Sequence, residues 1–452
     1  MVTRYTLLVL FSFVLFSCSN DDDNRNVDPV GDNDGDENTD GDGDGDGDGT
    51  DEVSDRTIFV FGDASGIGDG LSWENAFTEL QAAIDFSLKG DEIWVAQGTY
   101  IPDTETDRTV SFVMKDGVRI YGGFTGTETA LDQRDWIVHQ TILSGEIGDP
   151  NTTADNCYNV IQNTTNNLTL DALLDGFIIT KGNAGDPEPY ERGGGMFNKE
   201  SSPTIKNCTF IDNEGQYGAG IYNLGGSSPY IENCSFISNN ATRGGGGVYN
   251  FLNASPTMIN CLIAGNVAGD QFGGGMYNFQ SSPTVINTCI TGNVAIQGGA
   301  IYNTNLSAAT FINVTITGNR AEDIAGGMYN VYSEPLMLNS IIWANLDQSE
   351  TQDIANQSIY NDERSMTEIG YSLVEFINAG GTNIDGTVGT NTPDFVSSLN
   401  PMSAPSIEGD FRVTTGAVGI DKGSNALNET TMDLLGNPRV QNSIIDLGAY
   451  EF

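Results

Sequence analysis

Basic residues are scarce in this chain, and histidine is almost absent. The 452 residues include 18 Lys and Arg and a single His, against 62 Asp and Glu, which gives a formal net charge of −44. Nucleic acids and anionic membrane surfaces would repel such a chain, so neither is an expected partner. Acidic glycans are disfavoured for the same reason, unless a divalent cation bridges the two molecules.

Long hydrophobic runs are also lacking. No segment has the roughly 18 consecutive apolar residues that a transmembrane helix needs. The run from Leu7 to Phe16 is too short to span a bilayer, but it suits the core of a signal peptide. Cys18 follows this run directly after the small Ser17. The arrangement resembles a lipoprotein signal sequence, which implies removal of residues 1–17 and lipid attachment to Cys18; the alternative is a plain secretory signal with an incidental Cys.

An acidic segment follows Cys18 and separates it from the folded part of the chain. Asp21, Asp22 and Asp23 resemble the export tag of Bacteroidetes-type lipoproteins, which implies an outer-membrane protein exposed at the cell surface. The alternative is that these acids merely begin a linker. Asp and Gly alternate from Asp40 to Gly49, and such a sequence repels itself and buries no apolar surface. We therefore predict a disordered tether over residues 18–55.

Calcium binding by this tether is left open by its sequence. The side chains and glycine that can be laid onto an EF-hand loop are Asp40, Asp42, Asp44, Gly45 and Asp51. Any Asp-Gly run matches that pattern, and no helical sequence flanks this one. The sequence assigns no cofactor with certainty, and calcium stays an open alternative to a plain solvated tether.

The folded part begins with a strand pattern at residues 57–60. Apolar residues at helical spacing then predict one short helix between Trp73 and Leu88, capped by Asn75 and stopped by Gly90. Strand patterns follow one another after this helix, and one of them is a continuous stretch from Leu174 to Thr180. The pattern favours a long all-β structure whose open end is closed by the helix.

An internal repeat is the strongest signal in the sequence. A Gly-Gly-x-aromatic-Asn motif or a close variant ends at Asn198, Asn223, Asn250, Asn278, Asn303 and Asn330. A second Asn recurs at positions 213, 239, 266, 293, 319 and 345, and a third at positions 207, 233, 260, 287 and 313. The spacing of 25 to 28 residues holds about three short strands, too few to bury their own apolar face.

This period predicts a right-handed parallel β-helix with three strands per coil. Stacked coils place equivalent Asn residues one strand spacing apart, so that their side-chain amides form hydrogen-bonded ladders. The Gly pairs are expected to supply the positive φ that the corners need. A propeller blade needs some 40 residues, and leucine-rich repeats need a Leu framework. We predict the β-helix over residues 56–345, with about six regular coils from residue 193, and C-terminal coils with a terminal domain over 346–452.

Several short motifs resemble those of pectin-lyase-like bacterial surface proteins. Phe210–Asn213, Phe236–Asn239 and Gly298–Ile301 look like the paired motifs of polymorphic outer-membrane protein repeats. Further resemblances to the N-terminal coils and to a choice-of-anchor-type terminal domain are carried by Asp91–Trp94, Tyr121–Phe124, Asp433–Arg439 and Asp446–Glu451. The resemblance covers residues 57–452 and implies surface display with adhesion or glycan contact. The chain lacks a transporter barrel, which the lipid at Cys18 would replace.

Cys208, Cys234 and Cys261 fall in one column of the repeat. Stacked cysteines on adjacent coils can approach disulfide distance, whereas a column of small buried side chains is the plainer interpretation. Their spacing does not match a metal site. The choice between disulfides and free thiols stays open at this point.

Catalytic residues do not cluster within the regular repeats. The single His139 lies outside them, and no serine-hydrolase motif or phosphate-binding loop is present. The densest charged group is the insertion before the repeats, where the candidates for a site are Lys181, Asp186, Glu188, Glu191 and Arg192. A solvated charged loop is the alternative.

One aromatic residue recurs in each repeat, and this column is the candidate ligand-binding feature. Its members are Phe197, Tyr222, Tyr249, Tyr277, Tyr302 and Tyr329. If Met196, Ile221 and their equivalents point inward, strand alternation points these rings outward. A line of exposed rings can stack against sugars or a partner surface, whereas a self-stacking ladder would only stabilise the coil.

Together these features predict a surface lipoprotein that acts as a non-catalytic adhesion or glycan-binding β-helix. Its partners are then the outer membrane, through the lipid, and an extracellular glycan or a host or surface protein. The alternative is a polysaccharide lyase or glycoside hydrolase of the same fold. A tight cluster of acids and bases on one face would favour the enzyme, whereas an aromatic strip without such a cluster favours the binding protein.

Overall fold

The computed structural model describes residues 54–102, 107–185, 188, 190–348 and 354–452. The predicted signal segment, Cys18 and residues 19–53 of the predicted tether lie outside these ranges. No helix in the described ranges has the length and apolar character that crossing a lipid bilayer requires.

The described part of the chain has one α-helix, Leu80–Phe86, near its N-terminal end. Leu80, Ala83 and Ile84 are buried and join the core of the first coils. The helix is shorter than the pattern from Trp73 to Leu88 predicted, because the residues before it make other bonds. Phe77 pairs with the strand Thr57–Val60, and the Asn75 side chain accepts a hydrogen bond from the Ile67 amide instead of capping the helix.

The described residues form four parallel sheets, and each coil of the regular region crosses them in the order 1, 2, 3, 4. Sheet 1 contains Thr57–Val60, Glu92–Ala96, Arg119–Phe124, Leu173–Asp175, Thr204–Lys206, Tyr230–Glu232, Thr257–Ile259, Thr284–Ile286, Thr310–Ile312, Leu336–Leu338 and Glu368–Gly370. Sheet 2 contains Gly98–Tyr100, Thr141–Ser144, Phe177–Thr180, Thr209–Ile211, Ser235–Ile237, Leu262–Ala264, Cys289–Thr291, Thr315–Thr317, Ile341–Trp343 and Leu373–Val374.

The other two parallel sheets contain the strands that come next along each regular coil. Sheet 3 contains Asn183–Ala184, Glu214–Tyr217, Asn240–Gly244, Val267–Phe272, Val294–Gln297, Arg320–Ile324 and Leu346–Asp347. Sheet 4 contains Ile161–Asn163, Met196–Lys199, Ile221–Leu224, Val248–Phe251, Met276–Phe279, Ile301–Thr304, Met328–Val331 and Ile359–Asn361. The predicted parallel β-helix is therefore confirmed, and the short strand of sheet 3 accompanies the three strands expected in each coil.

Few residues of the described chain lie in other regular elements. An antiparallel pair joins Phe395–Ser397 to Asp410–Val413. Short 3-10 helices span Leu131–Gln133, Ile354–Gln357, Pro401–Ser403 and Asn425–Leu427. The stretch expected as one strand from Leu174 to Thr180 is divided between sheets 1 and 2, because Gly176 turns the chain with a φ of 87°.

Two Asn ladders run through the interior of the β-helix, as the repeat predicted. In the first, each Nδ2 donates to the Oδ1 of the next Asn at 2.8 to 3.0 Å along Asn163, Asn198, Asn223, Asn250, Asn278, Asn303, Asn330 and Asn361. The second joins Asn213, Asn239, Asn266, Asn293, Asn319 and Asn345 at 2.9 to 3.0 Å. These bonds satisfy polar groups that burial would otherwise leave unpaired.

The corners use positive φ at other residues than the Gly pairs. The residue before each pair takes this conformation, as Gly218 does with a φ of 60°. The third Asn column supplies another such corner, with a φ of 50° at Asn207, because Asn tolerates the left-handed region. In the pair, glycine is needed for close packing: a Cβ at Gly220 would lie 2.4 Å from the Gly247 carbonyl oxygen of the next coil.

The C-terminal segment covers the outward face of sheet 2 in the later coils. Phe395, Leu399 and Leu447 pack in one buried cluster with Cys289 and Ile341 of sheet 2. Backbone bonds hold this contact, since the Ser406 amide donates to the Gly292 carbonyl and the Gly448 amide to the Asn339 carbonyl. The segment therefore closes an apolar face that the coil would otherwise expose.

A buried arginine holds the end of this segment together. Arg439 is 0% exposed and donates hydrogen bonds to the carbonyls of Asp446 and Gly448, while its guanidinium lies 3.9 Å from the Glu451 carboxylate. Asp433 accepts from the amides of Leu435, Asn437 and Glu451. Burial raises the pKa of Glu451 to about 7 and also raises that of Asp446.

Candidate functional site

The predicted aromatic column lies on the outward face of sheet 4. Met196 and Asn198 point into the interior of the β-helix, so the alternation of the strand turns Phe197 outward. Each later strand of sheet 4 repeats this order. Adjacent tyrosine rings stack nearly parallel, with centroids 4.4 to 5.2 Å apart from Tyr222 to Tyr329. The column continues past the predicted set to Tyr360, 4.7 Å from Tyr329. We call Phe197, Tyr222, Tyr249, Tyr277, Tyr302 and Tyr329 the aromatic ladder.

Of the two interpretations of this column, the self-stacking ladder is confirmed, and the line of exposed rings is wrong for five of the six. Phe197, Tyr222, Tyr249, Tyr277 and Tyr302 have only 3 to 8% of their surface exposed, and Tyr329 is half-buried. The rings cover one another's faces because stacked coils bring them to van der Waals distance. Residues on both sides complete the cover; they are Tyr217, Leu224, Phe251, Phe272, Phe279 and Val331. Strand alternation predicts direction correctly, but it says nothing about such lateral neighbours.

Burial keeps the phenol groups of the ladder protonated. It raises the pKa of Tyr277 and Tyr329 to about 12, and it raises the pKa values of Tyr222, Tyr249 and Tyr302 further. The hydroxyls are therefore neutral at physiological pH and can donate or accept hydrogen bonds. They supply no charge and no nucleophile.

A cleft of about 460 Å³ opens beside the ladder in the first regular coils. It lies where sheet 3 meets sheet 4, next to the insertion that precedes the repeats. Its lining residues are Glu188, Glu191, Arg192, Gln216, Tyr217, Tyr222, Arg243, Tyr249 and Phe251. The two candidate features of the sequence, the aromatic column and the charged insertion, thus meet in one concave site.

The repeat period explains why distant residues meet in this cleft. Arg192 pairs with Tyr217 in a parallel bridge, and Tyr217 pairs with Gly244, the neighbour of Arg243. These positions lie one period apart, so they stack on successive coils. Adding the period to Arg192 would have linked the insertion to Tyr217 and Arg243 from sequence alone. Gln216 lies one period after Glu191, and Phe251 pairs with Leu224 and Phe279 in the neighbouring coils, so the same spacing relates these residues to their neighbours as well.

Ion pairs and ring contacts hold the charged groups of the cleft. The Arg192 guanidinium lies 3.0 Å from the Glu191 carboxylate and 5.9 Å from the centre of the Tyr222 ring. Arg243 donates to the Tyr217 hydroxyl at 2.9 Å and lies 5.7 Å from the centre of the same ring. The Tyr217 and Tyr249 rings meet edge to face at 5.5 Å. The site therefore combines aromatic surface with fixed hydrogen-bonding groups.

The insertion contributes only part of its charged residues to this site. Glu188, Glu191 and Arg192 line the cleft, whereas the exposed Lys181 is not among its lining residues. Asp186 lies outside the described residues. His139 is not among the lining residues either, and its ring nitrogen Nδ1 lies 3.2 Å from the Gln97 side-chain oxygen.

The cysteines of the described chain are free and buried. They are Cys157, Cys208, Cys234, Cys261 and Cys289. In the predicted column, the thiols of Cys208, Cys234 and Cys261 lie 3.1 to 3.3 Å from the carbonyls two residues before them. Burial raises the pKa of Cys261 to about 12, so this thiol is unreactive in the folded protein.

The described residues contain no group of three or more His, Cys, Asp or Glu side chains arranged to hold a metal ion. Asp40, Asp42, Asp44 and Asp51, the acids considered for calcium, lie outside the described residues, as does Cys18. Calcium binding and lipidation therefore stay predictions.

Comparison with known proteins places this fold in a family. The family described as right-handed β-helix region matches residues 106–290 and 192–345, which together span more than half of the chain. The chain belongs to this family. A comparison with curated proteins finds no match.

Among solved structures, the chain is similar to pectate lyase Pel9A. That likeness has a TM-score of 0.54 at 15% identity and covers 89% of this chain and 98% of the lyase. A rhamnogalacturonan lyase matches with a TM-score of 0.47 at 14% identity, over 80% of this chain and 97% of that one. At such low identity the pectate lyase shows the shared pectin-lyase-like fold and nothing about activity.

Proposed function

We propose that this protein is a non-catalytic glycan-binding or adhesion protein displayed on the bacterial surface. The observation that carries the proposal is the cleft beside the aromatic ladder, where Tyr217, Tyr249 and Phe251 border two arginines and two carboxylates. Aromatic surface with a few fixed polar groups is the usual composition of a ligand pocket. An extracellular glycan is the favoured ligand, and a protein on a host or another cell is the other partner class predicted for this surface.

Surface display forms the second part of the proposal. The signal-like run, Cys18 and the acids after it resemble an exported lipoprotein, and the repeats and terminal motifs resemble those of polymorphic outer-membrane and choice-of-anchor-type proteins. Labelling with a radioactive or alkyne-bearing fatty acid tests the anchor, with Cys18→Ala as the matched control. Loss of the protein from intact cells on protease treatment tests surface exposure. Labelling that persists in Cys18→Ala contradicts the assigned anchor.

The binding proposal is tested on a glycan array with the full chain and two matched variants. Phe251 lines the cleft, whereas Phe279 takes the same place one coil later and is not a lining residue. We expect Phe251→Ala to weaken glycan binding at least tenfold, while Phe279→Ala leaves it unchanged. Equal loss in both variants would assign binding to the ladder as a whole. Failure of the wild-type chain to bind any glycan would contradict the proposal.

Polysaccharide cleavage is the second candidate, because two carboxylates share the cleft. Glu188 and Glu191 both line it, and glycoside hydrolases use two carboxyl groups across the scissile bond. Incubation with polysaccharides, followed by assays for reducing ends and for the ultraviolet absorbance of unsaturated products, tests hydrolase and lyase activity with and without calcium. Turnover that disappears in Glu191→Gln would replace the binding proposal with an enzymatic one.

A further inference from the structure

Glu191 is an unusual residue in the wall of the cleft. Only 7% of its surface is exposed, and one carboxylate oxygen is paired with Arg192. The other oxygen, Oε2, is buried and has no hydrogen-bond partner. Leaving a buried carboxylate oxygen without a donor is costly, so such an atom needs an explanation. Its position in the cleft suggests that a ligand completes its hydrogen bonding.

The backbone around Glu191 fixes its position relative to the next coil. Its carbonyl oxygen accepts hydrogen bonds from the amides of Gln216 and Tyr217 at 3.0 and 3.1 Å. Main-chain bonds therefore fix the backbone of Glu191 beside that of the next coil, and both Glu191 and Tyr217 line the cleft. A fixed acceptor next to an aromatic face can orient a bound ring in one way.

The charges of the cleft are balanced, which bears on the ligand. Among the described residues that line it, the carboxylates of Glu188 and Glu191 equal in number the guanidiniums of Arg192 and Arg243. Arg192 is engaged by Glu191, and Arg243 donates to the Tyr217 hydroxyl. An anionic sugar would thus meet no excess of positive charge here and would approach a chain with a net charge of −44.

We propose that the cleft selects a neutral sugar residue, whose hydroxyl group donates to Glu191 Oε2 and whose neighbouring hydroxyl accepts from Arg192. The apolar face of the sugar packs on the aromatic wall formed by Tyr217 and Phe251. Because Oε2 is buried, a ligand reaches it only when a neighbouring side chain shifts, and we expect Arg192, which pairs with the other oxygen and is 31% exposed, to be the one that moves. This inference rests on the proposed glycan-binding function and adds the class of ligand. The site would differ in this respect from a site for an acidic sugar.

Binding of the full chain to immobilised neutral glucans, galactans and mannans, and to polygalacturonate and a sulfated galactan, tests the inference. We expect binding to at least one neutral glycan, weakened tenfold or more by both Glu191→Ala and Glu191→Gln. Glu232→Gln is the matched control, because its carboxylate pairs with Lys206 on the outer face of sheet 1, and we expect no change. The Gln variant keeps the shape of Glu191, so a folding defect in the Ala variant does not decide the result.

The possible outcomes separate this inference from the function on which it rests. Binding confined to polygalacturonate or the sulfated galactan overturns the neutral-sugar inference and leaves glycan binding intact. Neutral-glycan binding that is unaffected by both Glu191 variants overturns the assigned site. Absence of binding to every glycan contradicts the proposed function and the inference together.

Discussion

The outward faces of sheets 2 and 4 are both apolar, but they are covered in different ways. In sheet 2, residues from a distant part of the chain, such as Phe395 and Leu447, cover Cys289 and Ile341. In sheet 4, the rings of the aromatic ladder cover one another within the repeat itself. An outward apolar column in a β-helix is therefore no evidence of a binding surface until its cover is known.

The difference also decides where a ligand can reach the protein. A ligand has no access to the later part of sheet 2, because the C-terminal segment lies over it. The self-stacked ladder is open at its side in the first regular coils. The cleft lined by Tyr217 and Phe251 lies there. The binding site is thus expected at one end of the ladder and not along its whole length.

The largest expected effect is the loss of stability when the buried charge of Arg439 is removed from the C-terminal segment that covers sheet 2. Arg439→Met leaves the Asp433, Asp446 and Glu451 carboxyls without their buried cation, and breaking such a buried network costs about 3–5 kcal/mol. We expect the C-terminal segment to detach and expose the Cys289 thiol to maleimide, located by peptide mapping. Arg412→Ala removes an exposed ion pair with Asp410 and serves as the control with no added labelling. Protection of Cys289 in the Arg439 variant would show that apolar packing alone holds the cover.

Interrupting the self-stacked cover should have a smaller effect. Tyr302→Ala removes a ring that contacts Tyr277 and Tyr329 at 5.2 and 5.0 Å, and we expect a loss of about 2 kcal/mol in the free energy of unfolding. Phe311→Ala, inside the core, is the comparison and should cost about 3–5 kcal/mol. Urea denaturation followed by circular dichroism measures both. Equal losses would mean that the ladder is as much a part of the core as Phe311 is.

The smallest expected effect is that of pH, which should change the stability of the C-terminal segment over sheet 2 but not that of the aromatic ladder on sheet 4. The carboxyl of Glu451 has a pKa raised by burial from 4.5 to about 7, so folding favours its protonated form. Its contribution to stability is present below pH 4.5 and is lost as the pH rises to 7. We expect hydrogen exchange of Asp446–Phe452, corrected for intrinsic rates, to quicken over this range, whereas the strand Ile301–Thr304 should show no such change. Glu451→Gln should remove the dependence.

The opposite end of the chain gives an internal check on that experiment. Burial opposes ionisation of Asp91, but hydrogen bonds from Arg56, Ser54 and Leu88 hold its pKa down at about 2. Its contribution is therefore present above its ordinary pKa of 3.8 and is lost as the pH falls towards 2. It does not change in the range where Glu451 titrates. Exchange that quickens equally near Asp91 would indicate a global change and not release of the C-terminal cover.

The sequence predicted the fold through its period and the ladders through its Asn columns. Asn223 and Asn250 are equivalent positions in the repeat, and their side chains are bonded at 2.9 Å as expected. It offered a self-stacking ladder as one interpretation of the column but could not decide for it, because the cover of Tyr249 also depends on Tyr217 of sheet 3, which lies outside the column. Lateral packing depends on the register of several coils at once.

The candidate site was predicted in two unconnected parts. Glu191 and Arg192 stood out as charges in an insertion, and Tyr249 as a member of a column. Only the stacking of successive coils brings them into one cleft with Arg243. No pattern in the sequence predicted that the C-terminal segment packs along sheet 2. The hydrogen bond from the Ala449 amide to the Thr315 hydroxyl, for example, joins residues far apart in the chain.

The C-terminal segment has a mechanical consequence for the β-helix. Each coil bonds only to the coil before it and the coil after it, so a plain solenoid can fray from either end, one coil at a time. Here the C-terminal segment contacts Gly265, Gly292, Gly318 and Asn339, which belong to successive coils. Because the segment binds several coils along the axis, the last coils cannot unfold one at a time until the segment has detached. Under a pulling force, we therefore expect opening to begin at the N-terminal coils.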